Sequence, residues 1–376
     1  MQVNNDAGTI QPRCPAELKH HPDYSGDFIK DGIMSGYQRI IDALDGRKVS
    51  PVPRMLHSFM TAVAEKGYTQ NEYRWSAEKI ARTHIDFVRK YNLDGILLDV
   101  DTCLEAGAVG VPVDFPEDEP ARIITGLSGG LDACIDAMEK EVLLKDERIQ
   151  IYLESINLMR KEVGGDLLIR GNADQGPFSL AMLSVGIMEF MMMLMDESVE
   201  EKVKLLIDRA LDVHLEFHRL VKEAGADITS FGDSSCGPDL ISPELYREFS
   251  LPYHKKLAEK LKAQDIITIC HICGNLDLIL EDVVSAGFPA IEADYKTDIP
   301  RAAKIMKDRA VLFGPIDPSG IFYYGTPADV ARETDAVLKL FPDGGLVIGA
   351  GCALPAEVSE ENIRAFCKAA ETPAGE

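Results

Sequence analysis

Eight short apolar runs, rich in β-branched residues, alternate along the chain with longer amphipathic segments. Each run is too short for a buried helix, and most are continuously apolar, as in strands that are covered on both faces of a parallel sheet. The predicted strands are Val52–Leu56, Gly95–Asp101, Leu167–Asp174, Asp227–Ser234, Ile266–Gly274, Ala290–Tyr295, Ala310–Asp317 and Leu346–Cys352.

Helical patterns fill the gaps between these strands. Ser198–Glu223 carries apolar residues at three- and four-residue spacing, and Ser242 and Thr326 each precede a proline as helix caps do. Eight βα units in one chain predict a (β/α)8 TIM barrel. A doubly wound open sheet is the alternative, but the glycine fingerprint of dinucleotide-binding sheets is missing after the first strand.

The polar, irregular residues 1–33 predict an N-terminal arm or lid in front of a single barrel domain over residues 34–376. The segment 102–148 is long for one crossover, so we expect an insertion there above the barrel mouth. It contains the acidic loop Asp114–Pro120.

The overall charge narrows the range of partners. A formal net charge of −23 over 376 residues disfavours nucleic acids and anionic membrane surfaces. Neither a membrane-spanning run nor a signal peptide is recognisable, so a cytoplasmic location is expected. Eight cysteines in such a chain indicate metal binding or burial rather than disulfides. Core packing is the expectation for Cys103, Cys134, Cys270 and Cys367.

Polar side chains collect at the carboxyl ends of the predicted strands, where barrel enzymes carry their chemistry. These residues are His57, Asp99, Asp101, Asn172, Asp174, Asp233, His271, Cys273, Glu292, Asp294, Asp317 and Cys352. Several have a simpler explanation, since carboxylates also cap helices or pair with arginine. The strand ends alone therefore leave the chemistry open.

The fifth predicted strand ends in ITICHICGN, which carries an imidazole and a thiol two residues apart. Because strand side chains alternate between faces, His271 and Cys273 point the same way. Cys352 ends the eighth strand and opens onto the same mouth. One imidazole and two thiolates favour Zn²⁺, and three protein ligands leave a position for substrate. Burial without metal, or a structural site completed by Glu292 or Asp294, stays open.

Three stretches resemble a known family: HICGN, GAGCALP and GADITSFGDSSCGPDLISPELYREF. They are similar to the uroporphyrinogen decarboxylase superfamily, and more closely to its corrinoid-dependent methyltransferase branch, typified by methylcobalamin:coenzyme M methyltransferases. The likeness runs from about Arg47 to Ala369. It implies a (β/α)8 barrel with zinc held by His271, Cys273 and Cys352.

The resemblance implies methyl transfer between a corrinoid and a small zinc-bound substrate, which is either a thiol acceptor or a methylated O, S or N donor. A separate corrinoid protein is expected to supply the methylcobalamin, because DVHLEF matches the Asp-x-His-x-x-Gly signature poorly and lies on a predicted helix. It would dock near the acidic loop and the arm. A homo-oligomer is left open. Substrate contacts are expected from His57, Asn172, Gln175 and Asp233.

Two alternatives remain. A porphyrin decarboxylase would need arginines at the mouth, yet the decarboxylase signature Arg-Gln-Ala-Gly-Arg-Tyr is replaced here by PVPRMLHSFMTAV. Only Arg54 and Arg170 lie at strand positions from which an arginine could bind the carboxylates of a porphyrin. A non-catalytic zinc- or corrinoid-binding protein would hold the metal with four protein ligands.

Overall fold

The computed structural model describes residues 29–30 and 33–371, so most of the predicted N-terminal arm lies outside the described residues. Within this part of the chain the strands are β1 (Ile29–Lys30), β2 (Ile33–Met34), β3 (Gly95–Leu98), β4 (Val113–Asp114), β5 (Arg122–Ile123), β6 (Leu168–Gln175), β7 (Ile228–Gly232), β8 (Thr268–Ile272), β9 (Ala290–Ala293), β10 (Val311–Ile316) and β11 (Leu346–Ala350).

Seven of these strands form one parallel sheet in the order β11-β10-β9-β8-β7-β6-β3. All seven overlap predicted strands; six are shorter than predicted, and β6 lies one residue later than predicted. The segment predicted as the first strand pairs as a single parallel bridge between Arg54 and Ile348. Its carbonyls also accept hydrogen bonds from Ile348 and Asp94, so this segment links the two edge strands of the sheet. Pro51 and Pro53 have no N–H to donate, which prevents a longer ladder there.

The predicted TIM barrel is therefore confirmed, with its first strand reduced to one bridge. The helices that surround it are α1 (Gly36–Leu44), α2 (Phe59–Lys66), α3 (Gln70–Arg74), α4 (Ala77–Tyr91), α5 (Leu104–Ala108), α6 (Gly130–Ala137), α7 (Glu147–Val163), α8 (Pro177–Val185), α9 (Ile187–Met193), α10 (Glu200–Glu223), α11 (Pro243–Phe249), α12 (Leu251–Ala263), α13 (Leu280–Ser285), α14 (Ile299–Met306), α15 (Pro327–Leu338) and α16 (Glu360–Glu371). Side chains of Ser242 and Thr326 cap α11 and α15 as predicted. None of the helices in the described ranges has the length and apolar character needed to span a bilayer.

Two apolar clusters divide the core. The larger lies between the sheet and the surrounding helices, whereas the smaller fills the barrel interior at the amino ends of the strands. Ile40 and Ile41 of α1 pack into the smaller cluster beside Leu97 and Leu168. Only glycine fits at position 95, since a Cβ there would lie 2.8 Å from the Ile40 Cδ1. Helix α1 thus closes the amino end of the barrel and leaves the carboxyl end for a site.

The segment predicted as an insertion contains α5, a short hairpin of β4 and β5, and α6. The acidic loop forms the hairpin turn. Arg74 donates to the backbone carbonyl of Pro116, and the backbone N–H of Asn71 donates to that of Glu117. These contacts hold the loop against α3 at the carboxyl end of the barrel.

Candidate metal centre and substrate cavity

His271 and Cys273 lie at the carboxyl end of β8 with their side chains together. The His271 Nε2 is 3.0 Å from the Cys273 Sγ. Cys270, one residue earlier, points to the opposite side and is fully buried in the core between sheet and helices. This is the face alternation expected of a strand.

Cys352 follows β11 and reaches the same point from three strands away. Its Sγ lies 3.9 Å from the Cys273 Sγ, and the three ligand atoms all lie within 4.8 Å of one another. The chain passes close to β9 just before Cys352, since a Cβ on Gly351 would lie 2.8 Å from the Ala293 carbonyl oxygen. Tetrahedral zinc bonds place ligand atoms roughly 3.5–3.8 Å apart, so small side-chain adjustments suffice to hold a metal.

The backbone fixes which nitrogen of His271 faces the cysteines. His271 Nδ1 lies 3.0 Å from the carbonyl oxygen of Glu292, its register partner on β9. A carbonyl only accepts hydrogen bonds, so Nδ1 carries the hydrogen and donates it. In the neutral ring this leaves the Nε2 lone pair directed at the cysteine sulfurs, the arrangement usual for a histidine that binds metal.

The pKa values of the three side chains are shifted in different directions. A hydrogen bond from the Cys352 thiol, with the nearby His271, lowers the pKa of Cys273 to about 3 although burial opposes it. The same interaction raises the pKa of Cys352 above its ordinary value. Burial acts to lower the pKa of His271, but Cys273 and Glu292 together outweigh burial and raise that pKa to about 10. The lowered pKa of Cys273 favours a thiolate at the point where a cation would bind.

Ser234 is a further residue at this centre, and its contact with Cys273 was not predicted from the sequence. Its hydroxyl donates to the Cys273 Sγ at 3.0 Å, and its Oγ accepts from the Cys273 backbone N–H at 3.4 Å. The β7–β8 register pairs Gly232 with His271, which places residue 234 beside residue 273. Only this strand pairing identifies the contact.

A cavity of about 230 Å³ opens beside these residues at the carboxyl end of the barrel. Apolar side chains form part of its wall, and polar strand-end residues form the rest. The lining comprises His57, Phe59, Met60, Leu97, Asp99, Asp101, Thr102, Pro120, Arg170, Asn172, Gln175, Phe231, Gly232, Ser234, His271, Cys273, Glu292, Cys352 and Ala353. Pro120 belongs to the acidic loop, so that loop borders the cavity.

Three of the four residues predicted to contact substrate line the cavity. His57 Nε2 lies 2.8 Å from the Asp99 Oδ2, and Asn172 and Gln175 come from the end of β6. Asp233 does not line it. Its carboxylate accepts from the Ser179 backbone N–H at 2.8 Å and lies 2.9 Å from the His254 Nε2.

Asp233, Cys236 and His254 also bring potential ligand atoms together, but all three side chains are fully buried. The Cys236 thiol donates to the Asp233 carbonyl oxygen, and the His254 Nδ1 lies 3.2 Å from the Tyr246 hydroxyl. Each atom already has a protein partner. These contacts hold the turn that carries Ser234.

The two arginines considered for a decarboxylase occupy different places. The Arg54 guanidinium contacts Asp94 and the Asn92 carbonyl oxygen, which precede β3 at the amino end of the barrel. Arg170 lines the cavity but forms an ion pair with Glu292. Burial acts to raise the pKa of Glu292, yet Arg170, His271 and His57 together outweigh burial and hold that pKa below its usual range.

Residues 36–373 match the family model described as uroporphyrinogen decarboxylase (URO-D). The chain is 30% identical over 228 residues to methylcobamide:CoM methyltransferase MtbA of Methanosarcina acetivorans, an alignment that covers 61% of this chain and 65% of the relative. It is 27% identical over 343 residues to methylcobamide:CoM methyltransferase MtaA of Methanosarcina barkeri, and this alignment covers 88% of this chain and 96% of the relative. The predicted resemblance to this superfamily and to its methyltransferase branch is confirmed.

A solved structure with the same fold is a methyltransferase from Methanosarcina mazei. The two superpose with a TM-score of 0.81 over 89% of this chain and 98% of that one, at 23% sequence identity. The comparison agrees with the barrel architecture described above.

Proposed function

Because the chain belongs to the uroporphyrinogen decarboxylase family, we propose that it is a zinc- and corrinoid-dependent methyltransferase of that family. The observation that carries the proposal is the convergence of His271, Cys273 and Cys352 within 4.8 Å at the wall of a cavity. The relatives named as methyltransferases agree with it. The proposed catalytic residues are these three ligands.

The residues fit a zinc ion by the chemistry of their donor atoms. One imidazole and two thiolates suit Zn²⁺ better than Mg²⁺ or Ca²⁺, which prefer oxygen ligands. Glu292 lines the same cavity and is the candidate for a fourth ligand. The Glu292 carboxylate already pairs with Arg170, however. While this ion pair holds, the fourth position on the metal is available to a substrate.

A bound zinc ion would supply positive charge that lowers the pKa of a substrate thiol, so that the thiol loses its proton near neutral pH. The residues of the chain prepare this site. The Glu292 carbonyl orients His271, and the Ser234 hydroxyl donates to the Cys273 sulfur. Phe59, Met60 and Phe231 line the cavity with apolar surface that limits water.

In the proposed reaction the substrate sulfur forms a bond to the methyl carbon of a methylated corrinoid. The bond between that carbon and cobalt breaks, its electron pair stays with the cobalt, and the thiol proton leaves to solvent. The reverse direction, from a methylated O, S or N donor to the reduced corrinoid, would use the same residues.

A separate corrinoid protein would present the cofactor at the barrel mouth. The acidic loop supports this part of the proposal, because Pro120 lines the cavity while Glu117, Asp118 and Glu119 are exposed to solvent. The N-terminal arm would complete the docking surface. A cytoplasmic location agrees with such a partner and is part of the proposal.

The decarboxylase alternative has less support. Arg54 points to the other end of the barrel, and Arg170 is neutralised by Glu292. Among the described residues that line the cavity, no arginine is left to bind several substrate carboxylates. The non-catalytic alternative predicts zinc without turnover.

The test measures bound zinc and then follows the demethylation of free methylcobalamin with a panel of thiols. Zinc content and thiol-dependent turnover are both expected, and the Cys352→Ala variant should lose both. Cys367→Ala, at a buried cysteine in α16, is the matched control and should keep them. Full zinc content and turnover in Cys352→Ala would refute the proposed centre.

A further inference from the structure

We infer that the cavity selects a small substrate without an anionic group, and that Asn172 and Gln175 bind its polar end. This inference rests on the proposed function and names the substrate class of that site. Three features of the cavity support this inference. They are a bulge in β6, the amide atoms without protein partners that this bulge presents, and the pairing of every charged side chain in the wall.

Strand β6 contains an extra residue at its carboxyl end. Asn172 pairs with Ser230 and Gln175 pairs with Gly232, so two residues of β6 oppose one residue of β7 between these pairs. Asp174, within this bulge, has a φ of 58°. Residues three apart on a regular strand face opposite sides, whereas a bulge returns them to one side. Asn172 and Gln175 both line the cavity for this reason.

Buried contacts hold the bulge in place. The Asp174 Oδ2 accepts from the Glu105 backbone N–H at 2.8 Å, and Asp174 is almost completely buried. The backbone N–H of Gly176 donates to the Gly232 carbonyl oxygen at 2.8 Å and restores the pairing with β7. The two amide side chains are therefore presented by a fixed backbone.

These amides have hydrogen-bonding capacity to spare. The Asn172 Oδ1 accepts from the Ser230 hydroxyl at 3.3 Å. Within the described part of the chain, the Asn172 Nδ2 and both amide atoms of Gln175 have no protein partner. Both residues are only partly buried, so these atoms face the cavity. They offer neutral donors and an acceptor to an uncharged or cationic polar group.

Every acidic side chain in the described wall of the cavity already lies beside a basic side chain. Asp99 lies beside His57, Asp101 pairs with Arg148, and Glu292 pairs with Arg170. The Arg170 guanidinium also lies 5.4 Å from the centroid of the Phe313 ring. Apart from the proposed ligand His271, no cationic side chain of the described lining lacks an acidic partner. An anionic substrate would therefore be buried without a counter-charge, which is costly.

The size of the cavity restricts the substrate further. About 230 Å³ lies below the roughly 300–1,000 Å³ of sites for drug-sized ligands. The substrate class is thus a small uncharged or cationic thiol, or its S-methyl form if transfer runs the other way.

Three thiols of similar length provide the test: 2-aminoethanethiol, 2-mercaptoethanol and 2-mercaptoethanesulfonate, each also as the S-methyl compound. Titration calorimetry on the zinc-loaded protein gives their dissociation constants, with methyl transfer as the second readout. Whichever series binds, the free thiols or the S-methyl compounds, its sulfonate member is expected to bind at least tenfold more weakly than its amine and hydroxyl members. Equal or tighter binding of the sulfonate, or binding of none of the six, would overturn the inference.

The outcomes separate this inference from the proposed function. A preference for the sulfonate with methyl transfer intact refutes only the substrate class. Binding in the expected order without any transfer to or from the corrinoid refutes the proposed function instead.

Variants of Gln175 test its part in recognition. Gln175→Leu should raise the Kd of 2-mercaptoethanol about tenfold, and Gln175→Lys should shift the preference toward the sulfonate by at least tenfold. Gln264→Leu is the control, because Gln264 is exposed at the end of α12 and precedes β8 at the amino end of the barrel. Unchanged constants for both Gln175 variants, with folding confirmed by circular dichroism, would contradict the assignment.

Discussion

Replacing Ser234 by alanine removes two hydrogen bonds with Cys273, a proposed metal ligand. The Ser234 hydroxyl donates to the Cys273 sulfur at 3.0 Å, and the Cys273 backbone N–H loses its acceptor at 3.4 Å. Hydrogen bonds to charged groups contribute about 1.5–3 kcal/mol, and we expect the lower part of that range because Ser234 is only half-buried. At about 1.4 kcal/mol per tenfold change, the lower half of that range corresponds to a fall in zinc affinity of roughly 10–40-fold.

Competition with a chelator of known zinc affinity measures this change without methyl transfer. Cobalt(II) substitution gives a second readout, since the absorption of cobalt–thiolate bonds reports the environment of the sulfur. Ser234→Thr keeps a hydroxyl and should restore most of the affinity. Ser235→Ala is the neighbouring control, because no hydrogen bond from its hydroxyl is seen within the described residues. Equal zinc affinities for Ser234→Ala, Ser235→Ala and the unmodified protein would refute the reasoning.

Three further predictions concern the loop, the core and pH. Changing residues 117–119 to serine should slow transfer from a protein-bound corrinoid but not from free methylcobalamin; equal effects on both would exclude docking there. Arg170→Met leaves Glu292 buried without its partner and should lower the free energy of unfolding in urea by about 3–5 kcal/mol. For Arg219→Met, at a partly exposed ion pair, the loss should be under about 1 kcal/mol. Burial lowers the pKa of His84 to about 4, so below about pH 6.5 the unfolded chain takes up a proton that the folded state refuses. The protein should then lose stability relative to His84→Gln by at most about 1.4 kcal/mol per pH unit, and a difference that stays constant from pH 7 to pH 4.5 would contradict this.

The barrel strands could be predicted because burial on both faces leaves a local signal. One face of each barrel strand packs against the barrel interior, and the other face packs against the surrounding helices. Such a strand must be apolar throughout, so each run is visible in the sequence. The exception is the segment around Arg54, where two prolines limit pairing to a single bridge. Its apolar residues still showed where it lies, but its hydrogen bonds depended on both edge strands.

Asp233 shows how far strand-end positions can mislead. The sequence places it at the end of β7 among other polar residues, which suggested contact with substrate. In the structure the chain turns at this point, and its carboxylate is satisfied by Ser179 and His254 behind the cavity. Neighbouring Ser234 faces the centre instead. Which of two adjacent residues enters a cavity is decided by backbone torsions after the strand ends.

Local periodicity and short motifs were enough to predict the barrel, the shared face of His271 and Cys273, and the family. Tertiary structure alone decided that Cys352 comes within 3.9 Å of Cys273 across 79 positions of the chain. It also decided that a bulge in β6 turns Asn172 and Gln175 to one side. Both depend on the register between strands, and register is a property of paired segments that neither segment encodes alone.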